Sequence, residues 1–194
     1  NVSEAVQEYP KVSVLRWMTA ESSDWEYDNL TSEAVNIKET DRETIYTVAQ
    51  HLVAVSIVCN ASYPVKWAFH HYDRSGMYNI RVRTYRQTGD DMFDTKSYKF
   101  SATLDMYSDL NKLTGGYSCH STSSERIKNS IYVYAIGNSP PYLVYAGQTL
   151  TVKSEDNKTM ILPCIVSSPD TQVALYKRIA NDFVLEPPSP YIDW

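Results

Sequence analysis

The residues of this chain that could do chemistry begin with three cysteines, Cys59, Cys119 and Cys164. A thiol can serve as a nucleophile or form a disulfide, and the cellular compartment decides which role is open to it. A cytosolic protein can hold three free thiols, whereas a secreted protein is expected to pair its cysteines and leave none over. The odd count therefore leaves their role open until the compartment is known.

Four Asn-x-Ser/Thr sequons bear on the compartment, because each accepts an N-linked glycan if the chain passes through the secretory pathway. Their asparagines are Asn1, Asn29, Asn60 and Asn157. The pattern arises by chance about once per hundred residues, so this number favours an extracellular protein. Asn60 follows Cys59 on an alternating run, so we expect it to point away from the Cys59 face and its glycan to face solvent.

Other polar clusters favour no metal or catalytic site. The adjacent His70 and His71 would point to opposite faces of a strand, which makes a poor shared metal site. Asp90, Asp91 and Asp94 lack the spaced ligand loop of a dedicated calcium site. There is no glycine-rich phosphate loop, no Gly-x-Ser-x-Gly elbow and no kinase catalytic motif. We therefore expect no metal, no cofactor and no enzymatic activity from this sequence.

Composition restricts the class further. The 194 residues are 43% hydrophobic and 21% charged, with a net charge of −5, as in an ordinary folded chain. The acidic balance argues against a general nucleic-acid or anionic-membrane binder. The longest apolar runs, such as 52–59, are far shorter than the ~20 residues of a membrane span. Because the N-terminus lacks the basic and apolar regions of a signal peptide, we expect any such signal to have been removed.

Period-two alternation predicts many short strands. In 51–59, for example, Val55, Ile57 and Cys59 share one face. Other strand candidates are 9–17, 66–69, 78–85, 99–104 and 131–136, while 108–113 resembles a short helical turn and 21–41 an acidic insertion. Arg81 and Arg83 share one strand face. Together with Arg86 they form either a solvated strand face or a basic ribbon for heparan sulfate or an acidic face of a ligand. Many strands without alternating helices predict an all-β sandwich or barrel.

A second domain is predicted after Gly137-Asn138-Ser139-Pro140-Pro141, which interrupts the strand pattern. The pattern restarts with strand candidates at 159–166 and 171–177. We therefore predict tandem β-sandwiches, the first over 1–137 with an N-terminal extension and the second over 138–194. A complete sandwich of this kind has about 100 residues, so the second is expected to be incomplete.

Cys59, Trp67 and Gly116-Tyr117-Ser118-Cys119 together resemble the core pattern of an immunoglobulin-type sandwich. In that fold, cysteines on strands B and F bridge the two sheets, a strand C tryptophan packs on the bridge, and a tyrosine makes a corner hydrogen bond. The resemblance implies a Cys59–Cys119 disulfide with Trp67 and Tyr117 in the core. The alternative is two unrelated thiols near a tryptophan. Leu113 replaces the acidic residue usual six positions before the second cysteine.

From about residue 50 onward, the chain resembles the first two extracellular domains of the platelet-derived and vascular endothelial growth factor receptors. Only eight positions separate Cys59 from Trp67, and the runs 161–169 and 173–177 are similar to strands B and C of that family's second domain. Leu175 then replaces the strand C tryptophan in the core. The resemblance places the partner of Cys164 beyond Trp194, so Cys164 is expected to be unpaired here.

These receptors bind dimeric cystine-knot growth factors, mainly through the second domain. Carried over position by position, the resemblance implies contacts before strand B and at the end of strand C. The residues are Tyr145, Gln148, Lys177, Arg178 and Ile179. The alternative for the run 142–145 is that its alternate members fill the sandwich interior.

The function implied by the resemblance is ligand binding by the extracellular region of a receptor tyrosine kinase in the cell membrane. A two-fold growth factor would hold two receptor chains together, each using the same surface. The membrane span and the kinase would lie outside this chain. The main alternative is an immunoglobulin-superfamily adhesion or guidance protein without a kinase, and a third is a decoy that sequesters the growth factor.

Overall fold

The computed structural model describes residues 8–22, 24–26, 34–41, 43–70, 80–86, 99–107, 110–136, 143–144, 149, 151, 162 and 164–187. Within these ranges the chain forms strands and one 3₁₀ turn, Leu110–Leu113. The strands are β1 Lys11–Thr19, β2 Val35–Glu39, β3 Thr44–Val48, β4 Leu52–Ala61, β5 Val65–His70, β6 Ile80–Arg86, β7 Phe100–Tyr107, β8 Gly115–Ser121, β9 Lys128–Ala135, β10 Tyr176–Ile179 and β11 Asp182–Leu185. No helix among these residues has the length and apolar character needed to cross a membrane. The all-β fold class is confirmed.

The first nine strands form two sheets. One sheet has the order β1-β4-β7-β6 and is antiparallel throughout, and the other has the order β2-β3-β9-β8-β5. In the second sheet, β3 and β9 pair in parallel, whereas the remaining pairs are antiparallel. This arrangement is compatible with the two sheets of an immunoglobulin-like sandwich, in which β4, β5 and β8 take the places of strands B, C and F.

The core lies between the two sheets and follows the predicted alternation. Val55, Ile57 and Cys59 of β4 are buried in the core. Leu104 and Met106 of β7 join them from the same sheet. The facing sheet contributes its own inward residues, among them Tyr46, Trp67, Tyr117, Cys119, Ile131 and Val133. Burial of these apolar side chains is the main favourable term in holding the sheets together.

Three strands, β1, β2 and β3, precede the strand that carries Cys59, whereas the sequence predicted only one. β1 pairs with β4 in the first sheet, which confirms the strand expected at 9–17 with a small shift in its bounds. β2 and β3 form a hairpin at the edge of the second sheet. The segment predicted as an acidic insertion therefore includes regular structure, because β2 adds an edge strand beyond β3.

The described part of the second predicted domain contains one hairpin, β10–β11, and an isolated bridge between Leu143 and Val166. The predicted strand at 171–177 is wrong over 171–175, which is irregular, since β10 begins at Tyr176. Most of the strand predicted at 159–166 lies outside the described residues. A second sandwich stays a prediction.

Candidate functional site

The Cys59–Cys119 disulfide links β4 of one sheet to β8 of the other. Both cysteines are fully buried. Trp67, on β5 next to β8, is buried and its indole Nε1 donates a hydrogen bond to the carbonyl of Ala102 in the opposite sheet, at 2.9 Å. The bridge and this hydrogen bond therefore join the two sheets at the centre of the core, which is a structural role.

Tyr117 makes the corner hydrogen bond expected of an immunoglobulin-type sandwich. Its phenolic hydroxyl donates to the backbone carbonyl of Leu113, four residues upstream. Because the acceptor is a main-chain oxygen, the missing acidic side chain at Leu113 does not prevent the bond. Burial raises the pKa of Tyr117 far above the ordinary tyrosine value, so the hydroxyl remains a donor at neutral pH.

The residues predicted to contact a growth factor are only partly described. Tyr145 and Gln148 lie outside the described residues, as do Asn1, Asn29 and Asn157. Lys177, Arg178 and Ile179 lie on β10 and are exposed. Cys164 is an exposed free thiol. Leu175, predicted to lie in the core, is only half-buried, because the described residues around it form a hairpin rather than a closed sandwich.

The β10–β11 hairpin separates the three predicted contact residues onto two faces. Its ladder pairs Tyr176 with Leu185 and Arg178 with Phe183, so these four side chains share one face, which we call the aromatic face. The opposite face carries the pairs Lys177–Val184 and Ile179–Asp182. A partner lying flat on the hairpin can therefore contact Arg178, or Lys177 and Ile179, but not all three.

The aromatic face is exposed. Phe183 is 70% and Tyr176 is 55% accessible. Arg178 donates from Nε to the carbonyl of Ala180 in the turn, at 3.2 Å. Sequence reasoning identified Arg178 but missed Phe183, although the apolar run Phe183-Val184-Leu185 was visible as a strand signal. Phe183 lies beside Arg178 only because the turn at Ala180 brings β11 back alongside β10.

A buried carboxylate lies on the outward face of the first sheet. Asp105 of β7 is fully buried and accepts a hydrogen bond from the hydroxyl of Ser56 on β4. Arg83 of β6 contacts its second oxygen at 3.1 Å, and Arg16 of β1 lies 3.9 Å from the first. We call these four residues the carboxylate cluster. Asp105 raises the pKa of Arg83, so the guanidinium of Arg83 stays charged at neutral pH.

The exposed arginines of β6 also take part in contacts within the chain. The guanidinium of Arg16 lies 4.2 Å from the ring centroid of Trp25, and that of Arg81 lies 5.7 Å from the ring centroid of Tyr107. Arg83 is committed to Asp105. These arginines therefore support the sheet through contacts within the chain, and the structure gives the basic-ribbon interpretation no additional support.

Asn60 points away from the Cys59 face as predicted, but the predicted exposure to solvent is wrong. The side chain is only 9% exposed, and its Oδ1 accepts a hydrogen bond from the hydroxyl of Ser101 at 2.6 Å. The reason is that Asn60 is not at a free strand end. It pairs with Lys11 of β1 on one side and with Ser101 of β7 on the other, so both neighbouring strands flank it.

An open cleft of about 490 Å³ lies between edge strand β1 and the β2–β3 hairpin. Asn60, Asn129 and Ile131 complete its lining. Ile37 of β2 is 42% exposed in the wall, whereas Tyr46 of β3 is buried. On the inward face of β2, Val35 is buried in the core, whereas Ile37 and Glu39 line the cleft.

Tyr46 is expected to give the fold an alkaline limit. Its hydroxyl donates to the carbonyl of Val12, at 3.3 Å, and burial, aided by Glu39, raises its pKa to about 12. The unfolded tyrosine ionises near pH ~10. The stabilising contribution is therefore complete below that value and is lost as pH rises through the folded pKa, at about 1.4 kcal/mol per pH unit.

Urea unfolding at about pH 9 and about pH 11 measures this loss. Tyr46→Phe should show a shallower pH dependence than the wild type, since this one ionisable group is removed. Other buried tyrosines, including Tyr117, remain in both proteins, so the difference between the two isolates Tyr46. Equal slopes would contradict the assignment.

No metal site is evident in the described ranges, where no three histidine, cysteine, aspartate or glutamate side chains are grouped to hold an ion. Comparison with models of known protein families finds no match, and comparison with curated proteins finds none either. A proposal about function therefore rests on the fold, on the exposed hairpin and on the resemblance read from the sequence.

Proposed function

We propose that this chain is the extracellular, growth-factor-binding region of a receptor tyrosine kinase of the platelet-derived/vascular endothelial growth factor receptor type. Its partner is a dimeric cystine-knot growth factor. The membrane span and the kinase belong to segments outside this chain. The proposal joins the sequence resemblance to one structural observation, the exposed aromatic face of the β10–β11 hairpin.

The Cys59–Cys119 disulfide supports the extracellular part of the proposal. Structural disulfides form and persist in oxidising compartments and are rare in the cytosol. This bridge is fully buried and joins the two sheets of the first sandwich, so it is a structural bond rather than a redox switch. The sequons point to the same compartment.

The aromatic face supports the ligand-binding part. Centres of protein interfaces are enriched in aromatic residues and arginine. A few such residues provide most of the binding energy, as the loss of affinity on their truncation shows. Tyr176, Phe183 and Leu185 surround Arg178 in this composition, and all are exposed. Arg178 is also one of the residues that the resemblance places at the growth-factor contact.

The opposite face of the hairpin is a weaker candidate. The amide of Glu186 donates to the carbonyl of Leu175 at 2.8 Å, which continues the ladder by one pair. Leu175 therefore lies on the face of Lys177 and Ile179, and Leu175 is half-buried whereas Tyr176 is exposed. Ile179 and Val184 on that face are 54% and 47% exposed, so the preference for the aromatic face rests on its aromatic and arginine composition.

The mechanism follows from the symmetry of the ligand. A two-fold growth factor presents two identical surfaces, and each binds the aromatic face of one receptor chain. The two chains are then held close together, and their cytoplasmic kinases phosphorylate each other. This chain supplies binding and orientation, and the chemistry belongs to the kinase.

Phe183→Ala is expected to weaken growth-factor binding by about 2 kcal/mol, or roughly 30-fold in Kd. Phe183 is largely exposed, so its removal leaves little cavity and folding is preserved. Val184→Ala is the matched control, because Val184 is the next residue on the same strand and faces the other way. We expect it to change Kd by about twofold or less. The measurement is titration of a dimeric cystine-knot growth factor from the same source onto the immobilised chain.

Equal effects of the two substitutions would contradict the choice of face. A larger effect of Ile179→Asp than of Phe183→Ala would assign the contact to the opposite face. If the growth factor does not bind at all and the chain self-associates in sedimentation at micromolar concentration, the adhesion-protein alternative replaces the receptor proposal.

A further inference from the structure

We propose that the outward face of the second sheet binds a sulfated glycosaminoglycan through three basic residues on neighbouring strands. They are Lys66 on β5, His120 on β8 and Lys128 on β9, which we call the basic row. The inference rests on the extracellular location in the proposed function. It concerns the first sandwich, however, and a ligand other than the growth factor.

The strand register places the residues of the basic row side by side. Lys66 pairs with His120, and His120 pairs with Lys128. Paired residues of an antiparallel sheet point to the same face. Their sequence neighbours Trp67 and Cys119 point inward to the core, so the basic row lies on the outward face. At two interstrand spacings, the Cα atoms of its outer members are about 10 Å apart.

The strands of the basic row supply no carboxylate to neutralise it, since β5, β8 and β9 contain no aspartate or glutamate. Lys66 and Lys128 are exposed, and no ion pair joins either of them to a described residue. His120 is buried, so the accessible charge is that of the two lysines. The turn between β8 and β9 carries Glu125 beside Arg126 and adds no net charge. The basic row is therefore a positive site that attracts anions, on a chain whose net charge is −5.

Small residues form an open floor beside the basic row. Ala68, Ser118 and Ser130 occupy the next outward positions of the same three strands, and Gly116 follows on β8. A side chain at Gly116 would meet no heavy atom within 4 Å of its Cβ, so the space above the strand is open there. Tyr132 pairs with Gly116 and borders the floor. The floor therefore has the basic row on one side and an aromatic ring on the other.

This composition favours a polysaccharide over a protein partner, because protein interfaces are centred on well-exposed apolar and aromatic anchors. The described large hydrophobic side chains on the outward faces of β5, β8 and β9 are Tyr132 and Tyr134, and both are half-buried. Burial and Glu43 raise the pKa of Tyr134, so its hydroxyl stays uncharged at neutral pH and does not repel an anion. A sugar ring fits an open polar floor beside an aromatic ring. Repeated sulfate groups on the polysaccharide then supply the anions for the basic row.

The experiment measures the Kd of the whole chain for heparin, a sulfated glycosaminoglycan, over a range of salt concentrations. Lys66→Gln/Lys128→Gln should weaken binding about tenfold or more and reduce the slope of log Kd against log salt by roughly two, since each lysine displaces about one counterion. Lys38→Gln is the matched control. Lys38 is exposed at the edge strand β2 of the same face, two strands away from β9, and its loss should change Kd by about twofold or less.

Gly116→Val tests whether a sugar lies on the floor. The substitution keeps every charge, the open space accommodates the side chain, and valine suits an extended strand. We expect an unchanged salt slope and an equal or higher Tm, with a Kd for heparin weaker by roughly fivefold. An unchanged Kd would mean that no sugar occupies the floor and would overturn that part of the inference.

Three results would overturn the basic row as the site. They are absence of heparin binding, equal binding by the wild type and the lysine double variant, and a larger loss for Arg81→Gln, which would place the anion on β6 instead. Equal affinity for desulfated heparin or for polyglutamate would overturn the assignment to sulfate groups.

Growth-factor titration separates this inference from the proposed function. The lysine double variant should bind the growth factor with the wild-type Kd, because the basic row and the β10–β11 hairpin are different surfaces. Growth-factor binding without heparin binding would overturn only the basic row. Heparin binding that depends on the basic row, without growth-factor binding, would overturn only the receptor proposal.

Discussion

Replacing Cys59 and Cys119 together by alanine is expected to lower the free energy of unfolding by about 4 kcal/mol. The bridge spans 60 residues, so its loss frees a long segment of the unfolded chain. A typical domain has only about 5 to 15 kcal/mol of stability, so this change removes a large part of it. Both residues are fully buried between the sheets, and no rearrangement nearby can replace the bond.

The measurement is urea unfolding of the Cys59→Ala/Cys119→Ala double variant in a Cys164→Ser background. Removing the third thiol prevents disulfide exchange with it. Cys164→Ser alone is the control. Cys164 is exposed, so its replacement should change stability by about 0.5 kcal/mol or less. A loss below about 1 kcal/mol in the double variant would mean that the bridge contributes little to the fold.

Asp105→Ala is expected to lower the free energy of unfolding by about 3 kcal/mol. The substitution leaves the buried hydroxyl of Ser56 without its acceptor and the guanidinium groups of Arg16 and Arg83 without their carboxylate. Removal of one partner of a buried ion pair is costly because the remaining charge is uncompensated. The Arg83 side chain is 44% exposed, so water can solvate its guanidinium once the carboxylate is removed. The expected loss is therefore at the lower end of the range of about 3 to 5 kcal/mol for a broken buried ion pair.

Thr103→Val is the matched control for Asp105→Ala. Thr103 is buried on the same strand and the same face, two residues away, and its hydroxyl has no hydrogen-bond partner among the described residues. Its replacement should therefore be close to neutral, within about 0.5 kcal/mol. Thermal unfolding of both variants makes the comparison. Similar losses would indicate that tight packing at β7, rather than the charge of Asp105, accounts for the effect.

The core of the first sandwich was predictable because its signals are local in sequence. Alternation in 51–59 assigns the inward face of β4 directly. Cys59, Trp67 and Tyr117 were recognised as core residues from short local patterns in the sequence around them. The corner hydrogen bond was predictable for a related reason. Its acceptor is the backbone carbonyl of Leu113. Every residue has a backbone carbonyl, so the unusual side chain at this position does not affect the hydrogen bond.

The carboxylate cluster and the surroundings of Asn60 were not predictable in this way. Asp105 meets Arg83 and Ser56 only because β7 lies between β4 and β6 in a particular register. Alternation tells which face a residue takes but not which strand lies beside it. Asn60 illustrates the same limit, since its face was inferred correctly relative to Cys59, yet β1 and β7 on either side bury it.

The hairpin shows how the same limit affects the proposed site. Lys177, Arg178 and Ile179 are consecutive in sequence, and position-by-position transfer treated them as one contact. The β10–β11 ladder divides them and adds Phe183 from a neighbouring strand. A binding surface on a sheet consists of alternate residues of adjacent strands, so it is rarely a run of consecutive residues.

The parallel pairing of β3 with β9 determines how the first sandwich resists a pulling force. The pairing runs from Thr44 beside Ile131 to Val48 beside Ala135, so the start of β3 and the end of β9 lie at opposite ends of the same ladder. Tension applied between those two points draws the strands lengthwise past each other. The hydrogen bonds of the ladder then bear the load together in shear instead of opening one after another.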